Sequence, residues 1–96
     1  MKTLQEIVDQ LKKHKQYLFS RYPIQSMAIF GSYARNEQDE NSDLDILVEF
    51  NDKIGIRFID LALELEKLLG FKIDLVSRKG IKEKYFKKIQ EDLTYV

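Results

Sequence analysis

The stretch from residue 30 to residue 50 places the strongest constraint on how this chain can fold. An apolar run ends there in a turn that contains Gly31 and Ser32, and after a polar loop a second apolar run begins with Asp43 and Asp45 at its start. Residues two apart on a strand point to the same face, so the two carboxylates project together. They repel each other unless a cation lies between them. The stretch therefore predicts two strands, a turn suited to holding a phosphate, and a pair of hard-metal ligands.

Length and charge limit the remaining possibilities. A chain of 96 residues with 44% apolar residues predicts one small globular domain, residues 1–96. Sixteen basic and sixteen acidic side chains cancel, so no overall field attracts nucleic acid or a membrane. The local distribution is uneven, because residues 36–52 carry seven acids and no base, whereas residues 72–88 carry seven bases and two acids. One region suits cations and the other suits anions.

Cysteine usage and hydropathy bear on the compartment. The chain has no cysteine, which excludes disulfides, thiolate metal sites and a cysteine nucleophile. The N-terminus lacks an apolar signal core, and no apolar run approaches membrane-spanning length. We therefore expect a cytoplasmic protein with no membrane contact.

Periodicity predicts an alternation of helices and strands. Helical spacing covers residues 4–21, 56–69 and 81–90, whereas strand patterns cover residues 24–30, 44–50 and 71–76, with a last short strand at 93–96. We expect a short helical turn at 33–35 and an exposed, mobile loop at 36–41. The only histidine, His14, lies at the border of the first helix, and we interpret it as a border or interface position. This order predicts a layered α+β domain with helices packed on a small mixed sheet.

A third acid connects the predicted strands. Asp74 lies inside the third strand, where a carboxylate is costly unless it is paired, metal-bound or exposed. If the second and third strands are neighbours, Asp74 comes alongside Asp43 and Asp45. Three carboxylates at one edge form a site for two Mg²⁺ ions, which bridge nucleotide phosphates and lower the pKa of an attacking hydroxyl.

The run of bases between residues 78 and 88 has two interpretations. Interleaved with Tyr85 and Phe86, it could grip a polyanion, or it could be the solvated face of a helix whose inner face is apolar, formed by Ile81, Tyr85 and Ile89. We assign it no nucleic acid.

The motif resembles a known signature. The segment Gly31-Ser32-Tyr33-Ala34-Arg35, followed by Ser42-Asp43-Leu44-Asp45-Ile46-Leu47-Val48, resembles that of the minimal nucleotidyltransferases, the smallest members of the DNA polymerase β-like superfamily. Asp74 stands where that family has its third acid. The resemblance implies the nucleotidyltransferase fold, similar to the polymerase β palm. It also implies an enzyme that transfers a nucleoside monophosphate from an NTP, usually ATP, to a hydroxyl while pyrophosphate leaves.

The resemblance also implies roles for individual acids. Asp43 and Asp45 would hold both Mg²⁺ ions. Asp74 would bind the catalytic metal and accept the proton of the nucleophile. All three would therefore be metal ligands and catalytic residues.

Four residues of the motif would bind the nucleotide. Gly31 and Ser32 would contact the β- and γ-phosphates, Arg35 would support the phosphates or brace the motif, and Ser42 would orient the loop. Asn36 stands where the family commonly has glycine. Asparagine tolerates a left-handed backbone best among the non-glycine residues, so we expect the turn to survive.

A chain of this size has no room for a domain that binds the acceptor. The resemblance implies a separate partner, a HEPN-domain toxin, and a hetero-oligomer in which this chain, as antitoxin, transfers AMP to a tyrosine of the toxin (AMPylation). The alternative is a non-catalytic antitoxin that neutralises the toxin by steric binding. The three mutually repelling acids favour the enzyme, since a steric binder has no need of them.

Overall fold

A single mixed sheet with helices on both faces organises residues 2–96, which are the residues described by the computed structural model. Its strands lie in the order β3-β2-β1-β4. The elements are α1 (Leu4–Lys13), α2 (Lys15–Arg21), β1 (Ile24–Phe30), β2 (Leu44–Phe50), α3 (Arg57–Leu69), β3 (Ile73–Ser77), α4 (Glu83–Ile89) and β4 (Thr94–Tyr95), with 3-10 turns at Arg78–Gly80 and Gln90–Asp92. The predicted α+β class and the mixed sheet are confirmed.

The pairing of the strands follows from their connections. β1 and β2 pair antiparallel, whereas β2 and β3 pair parallel because α3 carries the chain back between them. β4 adds antiparallel to the free edge of β1. The second and third strands are therefore neighbours, which is the condition under which the three acids were expected to meet.

The two faces of β2 enter different parts of the core. Leu44, Ile46 and Val48 are buried in the larger cluster with residues of α1, α2 and α3. On the opposite face Leu47 is buried against Phe30 and Ile89 of α4, in a smaller cluster. This alternation is the one that the sequence predicts for β2. On this second face of β2, Leu47 is apolar and lies beneath α4, whereas its neighbours Asp45 and Glu49 are polar.

The first helix differs from the prediction, because it is broken at His14 into α1 and α2. The His14 ring Nδ1 lies 3.0 Å from the Gln10 carbonyl oxygen, which a continuous helix would pair with the His14 N–H. That N–H donates instead to the Leu11 carbonyl at 3.1 Å. The imidazole thus takes over a helical acceptor, which explains the break and gives this histidine a structural role.

The inner face of α4 also differs from the prediction. Tyr85 is 50% exposed, and Phe86 packs with Ile81 against the cluster that contains Ile89. The helix starts only at Glu83, so its inward stripe runs from residue 86 to residue 89 rather than from 85. The predicted apolar face was therefore wrong by one residue.

Local interactions define the ends of two helices. Thr3 and Glu6 form a capping box at the start of α1, with hydrogen bonds of 3.2 and 2.9 Å. Gly70 ends α3 with φ of 83°. None of the helices among residues 2–96 combines the length and apolarity needed to cross a bilayer.

Candidate active site

Gly31 ends β1 in a position that only glycine can occupy. Its φ is 76°, in the left-handed region. A Cβ atom on Gly31 would overlap the Asp45 Oδ2 atom and would lie 3.1 Å from the Asp45 Cγ atom. The backbone at Gly31 therefore lies directly against the carboxylate of Asp45, so the glycine-serine turn and the predicted metal ligand are adjacent.

A tight turn follows Gly31, as predicted. The Arg35 N–H donates to the carbonyls of Gly31 and Ser32, each at 3.2 Å, and the Glu37 N–H donates to the Ser32 carbonyl at 2.8 Å. Asn36 has φ of 57°, the left-handed conformation expected where the family commonly has glycine. The turn is thus preserved with asparagine in that position.

The acids meet at the edge formed by the start of β2 and β3. Asp45 lies directly opposite Asp74 in the parallel register, and Asp43 immediately precedes β2. Asp45 is half-buried, whereas Asp43 and Asp74 are exposed. We call these three residues the acid edge.

Burial and like charge act together on Asp45. Burial is the larger cause, and the neighbouring Asp74 and Asp43 add to it, so that the pKa of Asp45 rises from 3.8 to about 6. The Arg35 guanidinium opposes this shift and lowers the pKa. Asp45 is thus partly protonated near pH 6, and its ionised form would be favoured by a nearby cation.

The acid edge fits a hard metal ion by its chemistry. Carboxylate oxygens are the ligands that Mg²⁺ prefers. Burial and, to a smaller extent, the repulsion from Asp74 and Asp43 raise the pKa of Asp45, and a cation would relieve the repulsion. Within residues 2–96 no three such side chains are already close enough to form a ligand cluster. Asp74 already lies against the Asp45 carboxyl, so a three-carboxylate ligand set would require the exposed carboxylate of Asp43 to turn toward this pair.

Ser42 holds the loop that leads into the acid edge. Its Oγ accepts the Asp39 N–H at 3.0 Å and donates to the Asp39 carboxylate at 3.3 Å. A cleft of about 580 Å³ opens beside this loop, with Asp43 in its wall. The cleft is lined by Lys2, Tyr33, Asp39, Glu40, Asn41, Ser42, Asp43, Leu69, Gly70, Phe71 and Lys72. It is large enough for a small ligand beside the carboxylates.

Arg35 braces the turn. Its Nε donates to Glu37 at 2.8 Å and its Nη1 donates to Asp92 at 2.9 Å. Asp92 belongs to the turn that follows α4, so the ion pair joins the glycine-serine turn to the C-terminal segment. These ion pairs are those expected of a brace, and a role of Arg35 in supporting the phosphates stays a prediction. Asp92 carries no local sequence signal, because it lies 57 residues from Arg35.

Tyr33 is a second residue of the site that the motif alone did not single out. It is 4% exposed, and its ring stacks on Phe71 with the centroids 5.8 Å apart. Burial, with smaller contributions from Asp39 and Asp43, raises the pKa of its hydroxyl. The stack fixes the turn to the connection between α3 and β3, and an aromatic residue inside the glycine-serine motif was the available signal for it.

Comparison with known proteins places the chain among nucleotide-transferring enzymes. Residues 11–95 match the family model described as the nucleotidyltransferase domain. A candidate protein adenylyltransferase of Methanocaldococcus jannaschii is 55% identical over 98 residues, covering 100% of both chains. The protein adenylyltransferase MntA of Thermococcus cleftensis is 40% identical over 97 residues, covering 100% of this chain and 98% of its own.

Solved structures agree with the fold. A candidate minimal nucleotidyltransferase superposes with a TM-score of 0.76 and 30% identity, covering 97% of this chain and 95% of that one. A chain from the complex of a tri-AMPylated Shewanella oneidensis HEPN toxin with MNT antitoxin has a TM-score of 0.69 and 23% identity. The match covers 93% of this chain and 70% of that one. The latter likeness concerns the fold.

Proposed function

The chain belongs to the nucleotidyltransferase domain family, and from this we propose that it transfers AMP from ATP to a tyrosine hydroxyl of a HEPN toxin in a Mg²⁺-dependent reaction. It would act as the antitoxin of that partner, within a hetero-oligomer and in the cytoplasm, with residues 1–96 as one catalytic domain. The observation that carries the proposal is the convergence of Gly31, Asp45 and Asp74 at one edge of the sheet.

The relatives support the type of transfer and the type of partner. Two of them are named as protein adenylyltransferases, one a candidate, and they match this chain over its full length. In the Shewanella complex, an AMPylated HEPN toxin is bound to an MNT antitoxin. This chain has the same fold, which is why we propose the same kind of acceptor for it.

The proposed reaction is a single displacement at phosphorus. The tyrosine oxygen attacks the α-phosphorus of ATP, a new P–O bond forms, the bond to the β-phosphate bridging oxygen breaks, and pyrophosphate leaves. Two Mg²⁺ ions, when bound, would supply neutralisation of the charge that develops on the phosphates.

The residues of the chain would bind and orient the reactants. Asp43 and Asp45 would hold both ions, and Asp74 would hold the one nearer the acceptor. The Asp74 carboxylate, which is exposed, would also accept the proton of the tyrosine hydroxyl.

The glycine-serine turn would bind the remaining phosphates. Gly31 and Ser32 would contact the β- and γ-phosphates, as backbone groups in such turns do. Ser42 would keep the loop before Asp43 in place, through its hydrogen bonds to Asp39. Arg35 would hold the turn in shape through Glu37 and Asp92.

A non-catalytic antitoxin is the second candidate. Ile56, just before α3, and Ile59 and Leu63 on its outer side are 81%, 60% and 59% exposed. They lie on the side of the sheet opposite the acid edge, because α3 covers the face of β2 that carries Leu44 and Ile46. A partner could cover this stripe without engaging the carboxylates.

Transfer of label separates the two candidates. The chain is incubated with ATP labelled in the α-phosphate, Mg²⁺ and the HEPN protein encoded beside it. We expect label on the partner, and we expect Asp45→Asn to reduce the transfer rate by about a thousandfold, since it removes one charge from the ligand set.

Glu49→Gln is the matched control, because Glu49 is an exposed acid on the same strand and the same face as Asp45. This variant should label the partner at the wild-type rate. Neutralisation of the toxin without label, unchanged in Asp45→Asn, would show steric binding instead.

A further inference from the structure

The outer side of α4 carries positive charge that the chain does not use. Lys82, Lys84, Tyr85 and Lys88 line a shallow depression of about 180 Å³, and we call these residues the α4 basic surface. None of its three lysines has a carboxylate within ion-pair distance among residues 2–96, whereas the adjacent Arg78 is paired with Glu83 at 2.7 Å. Tyr85, among these lysines, is 50% exposed.

The helix that carries this surface packs with its C-terminal end near Asp45, on the same face of the sheet. Ile89 of α4 packs against Phe30 and Leu47. Phe30 is the register partner of Asp45 on β1, and Leu47 is two residues beyond Asp45 on the same face of β2. The C-terminal end of α4, where Lys88 immediately precedes Ile89, therefore lies close to Asp45. A molecule that brings a hydroxyl to Asp45 from this side meets α4.

We propose that the α4 basic surface docks an acidic patch of the acceptor protein and thereby sets the acceptor hydroxyl against the acid edge. The inference rests on the proposed function, since it concerns the same reaction. Unpaired lysines give attraction and orientation over a long range, and an exposed tyrosine among them supplies the apolar contact typical of interface centres. The contact with Asp92 would couple the docked segment to the phosphate-binding turn through Arg35.

The distribution of charge favours a protein patch over nucleic acid. The chain has a formal net charge of +0, and its residues 36–52 carry seven acids and no base. The acid edge lies within reach of any ligand that extends beyond α4 on this side. An extended polyanion bound to the α4 basic surface would also reach the acid edge, which repels it. A compact acidic patch would contact the basic surface alone.

Charge reversal tests the inference without requiring the chemical step. The variant Lys82→Glu, Lys84→Glu, Lys88→Glu is compared with Lys12→Glu, Lys13→Glu, Lys67→Glu, which changes the net charge equally at exposed lysines on α1 and α3. The dissociation constant for the co-encoded HEPN protein is measured by calorimetry without nucleotide. Thermal unfolding shows whether each variant is folded.

We expect the α4 reversal to weaken binding by about a hundredfold at low salt and less at high salt, since three attractive pairs become repulsive. The control should stay within about threefold, because its charges lie away from the contact. Tyr85→Ala should weaken binding while leaving the net charge unchanged.

Three outcomes overturn the inference. Equal weakening by both triple variants would indicate net charge alone, and unchanged binding in the α4 variant would place the docking surface elsewhere. Tighter binding of a 20-nucleotide single-stranded RNA than of the protein, lost in the α4 variant, would assign the surface to nucleic acid. In each case labelling of the partner by the wild type would still report separately on the proposed function.

Discussion

The acid edge and the helix that carries the α4 basic surface lie on one face of the sheet, yet their charges differ in burial and in the strength of their interactions. The half-buried Asp45 is held between Asp74 and Gly31, and its pKa is raised to about 6. The lysines of the α4 basic surface are exposed and separate, so water screens them. The fold imposes an electrostatic cost at the acid edge and none at α4. Changes at the acid edge should therefore alter chemistry and stability, whereas changes at α4 should alter association alone.

After Asp45→Asn, the largest effect on transfer is expected from Gly31→Ala. The new Cβ would overlap the Asp45 carboxylate, and alanine is strained at φ of 76°. Displacing Asp45 should slow transfer by about a hundredfold, and the strain should lower the free energy of unfolding by about 1–2 kcal/mol. Steady-state labelling and urea unfolding measure the two effects.

Gly55→Ala separates strain from overlap. Gly55 also has positive φ, of 55°, but nothing lies within 4 Å of the position that its Cβ would take. This variant should lose stability and keep its activity. If both glycine variants lose activity equally, close contact with Asp45 is not what Gly31 provides.

The pH dependence of stability tests the charge status of Asp45 directly. Because the folded pKa, about 6, lies above the ordinary value of 3.8, the folded state binds the proton more tightly between these two values. Stability contributed by this group is present below about pH 4 and is lost as the pH rises through about 6. Asp45→Asn should therefore be more stable than the wild type at pH 7, and the difference should shrink toward pH 4.

Urea unfolding at a series of pH values, with and without Mg²⁺, measures this difference. Mg²⁺ should stabilise the wild type at pH 7 and should have little effect on Asp45→Asn. A wild type that is more stable than the variant at pH 7 in the absence of metal would show that burial and repulsion at Asp45 are weaker than the geometry indicates.

A smaller effect on transfer is expected from breaking the ion pair between Arg35 and Asp92, which joins the glycine-serine turn to the segment after α4. Asp92→Asn removes the partner of Arg35 Nη1 at 2.9 Å and loosens the turn from the C-terminal segment. As a positioning residue, Asp92 should affect kcat/KM for ATP by about tenfold or less, since the ion pair is exposed and Glu37 still holds Arg35. Glu91→Gln, next to it in the chain, is the control.

The direction of the Asp92→Asn effect is informative. A brace predicts slower transfer with a raised KM for ATP. Faster transfer would mean that Arg35, once released, supports the phosphates, which is the other role that the motif allows.

The smallest effect is expected on the affinity for ATP when the α4 basic surface is reversed. We propose that its lysines contact the partner and not ATP, so the KM for ATP should change by about twofold or less at physiological ionic strength. Steady-state kinetics with a saturating partner measures this. A large rise in the KM for ATP would place these lysines in the nucleotide site and remove the distinction between the two regions.

Several features of the site could be predicted because they depend on short-range rules. The alternation along β2 predicted that Asp45 lies on the face of the sheet opposite Leu44 and Ile46. The asparagine at position 36 indicated a left-handed backbone conformation in the turn. Other features could not. The break at His14 depends on a side chain taking a helical acceptor, and the register of α4 depends on where the helix starts, at Glu83.

The sequence by itself determined which residues are chemically competent: a glycine-serine turn, three carboxylates and a basic run. Local periodicity and residue type suffice for this, because they act over a few residues. Only the tertiary structure decided that Asp74 lies opposite Asp45, that Gly31 touches its carboxylate, and that Asp92 holds Arg35. These contacts join residues 14 to 57 positions apart. They exist because β1 and β3 pair with β2 and α4 packs on the same sheet, which buries a shared core. The raised pKa of Asp45 follows from that arrangement and is absent from the unfolded chain.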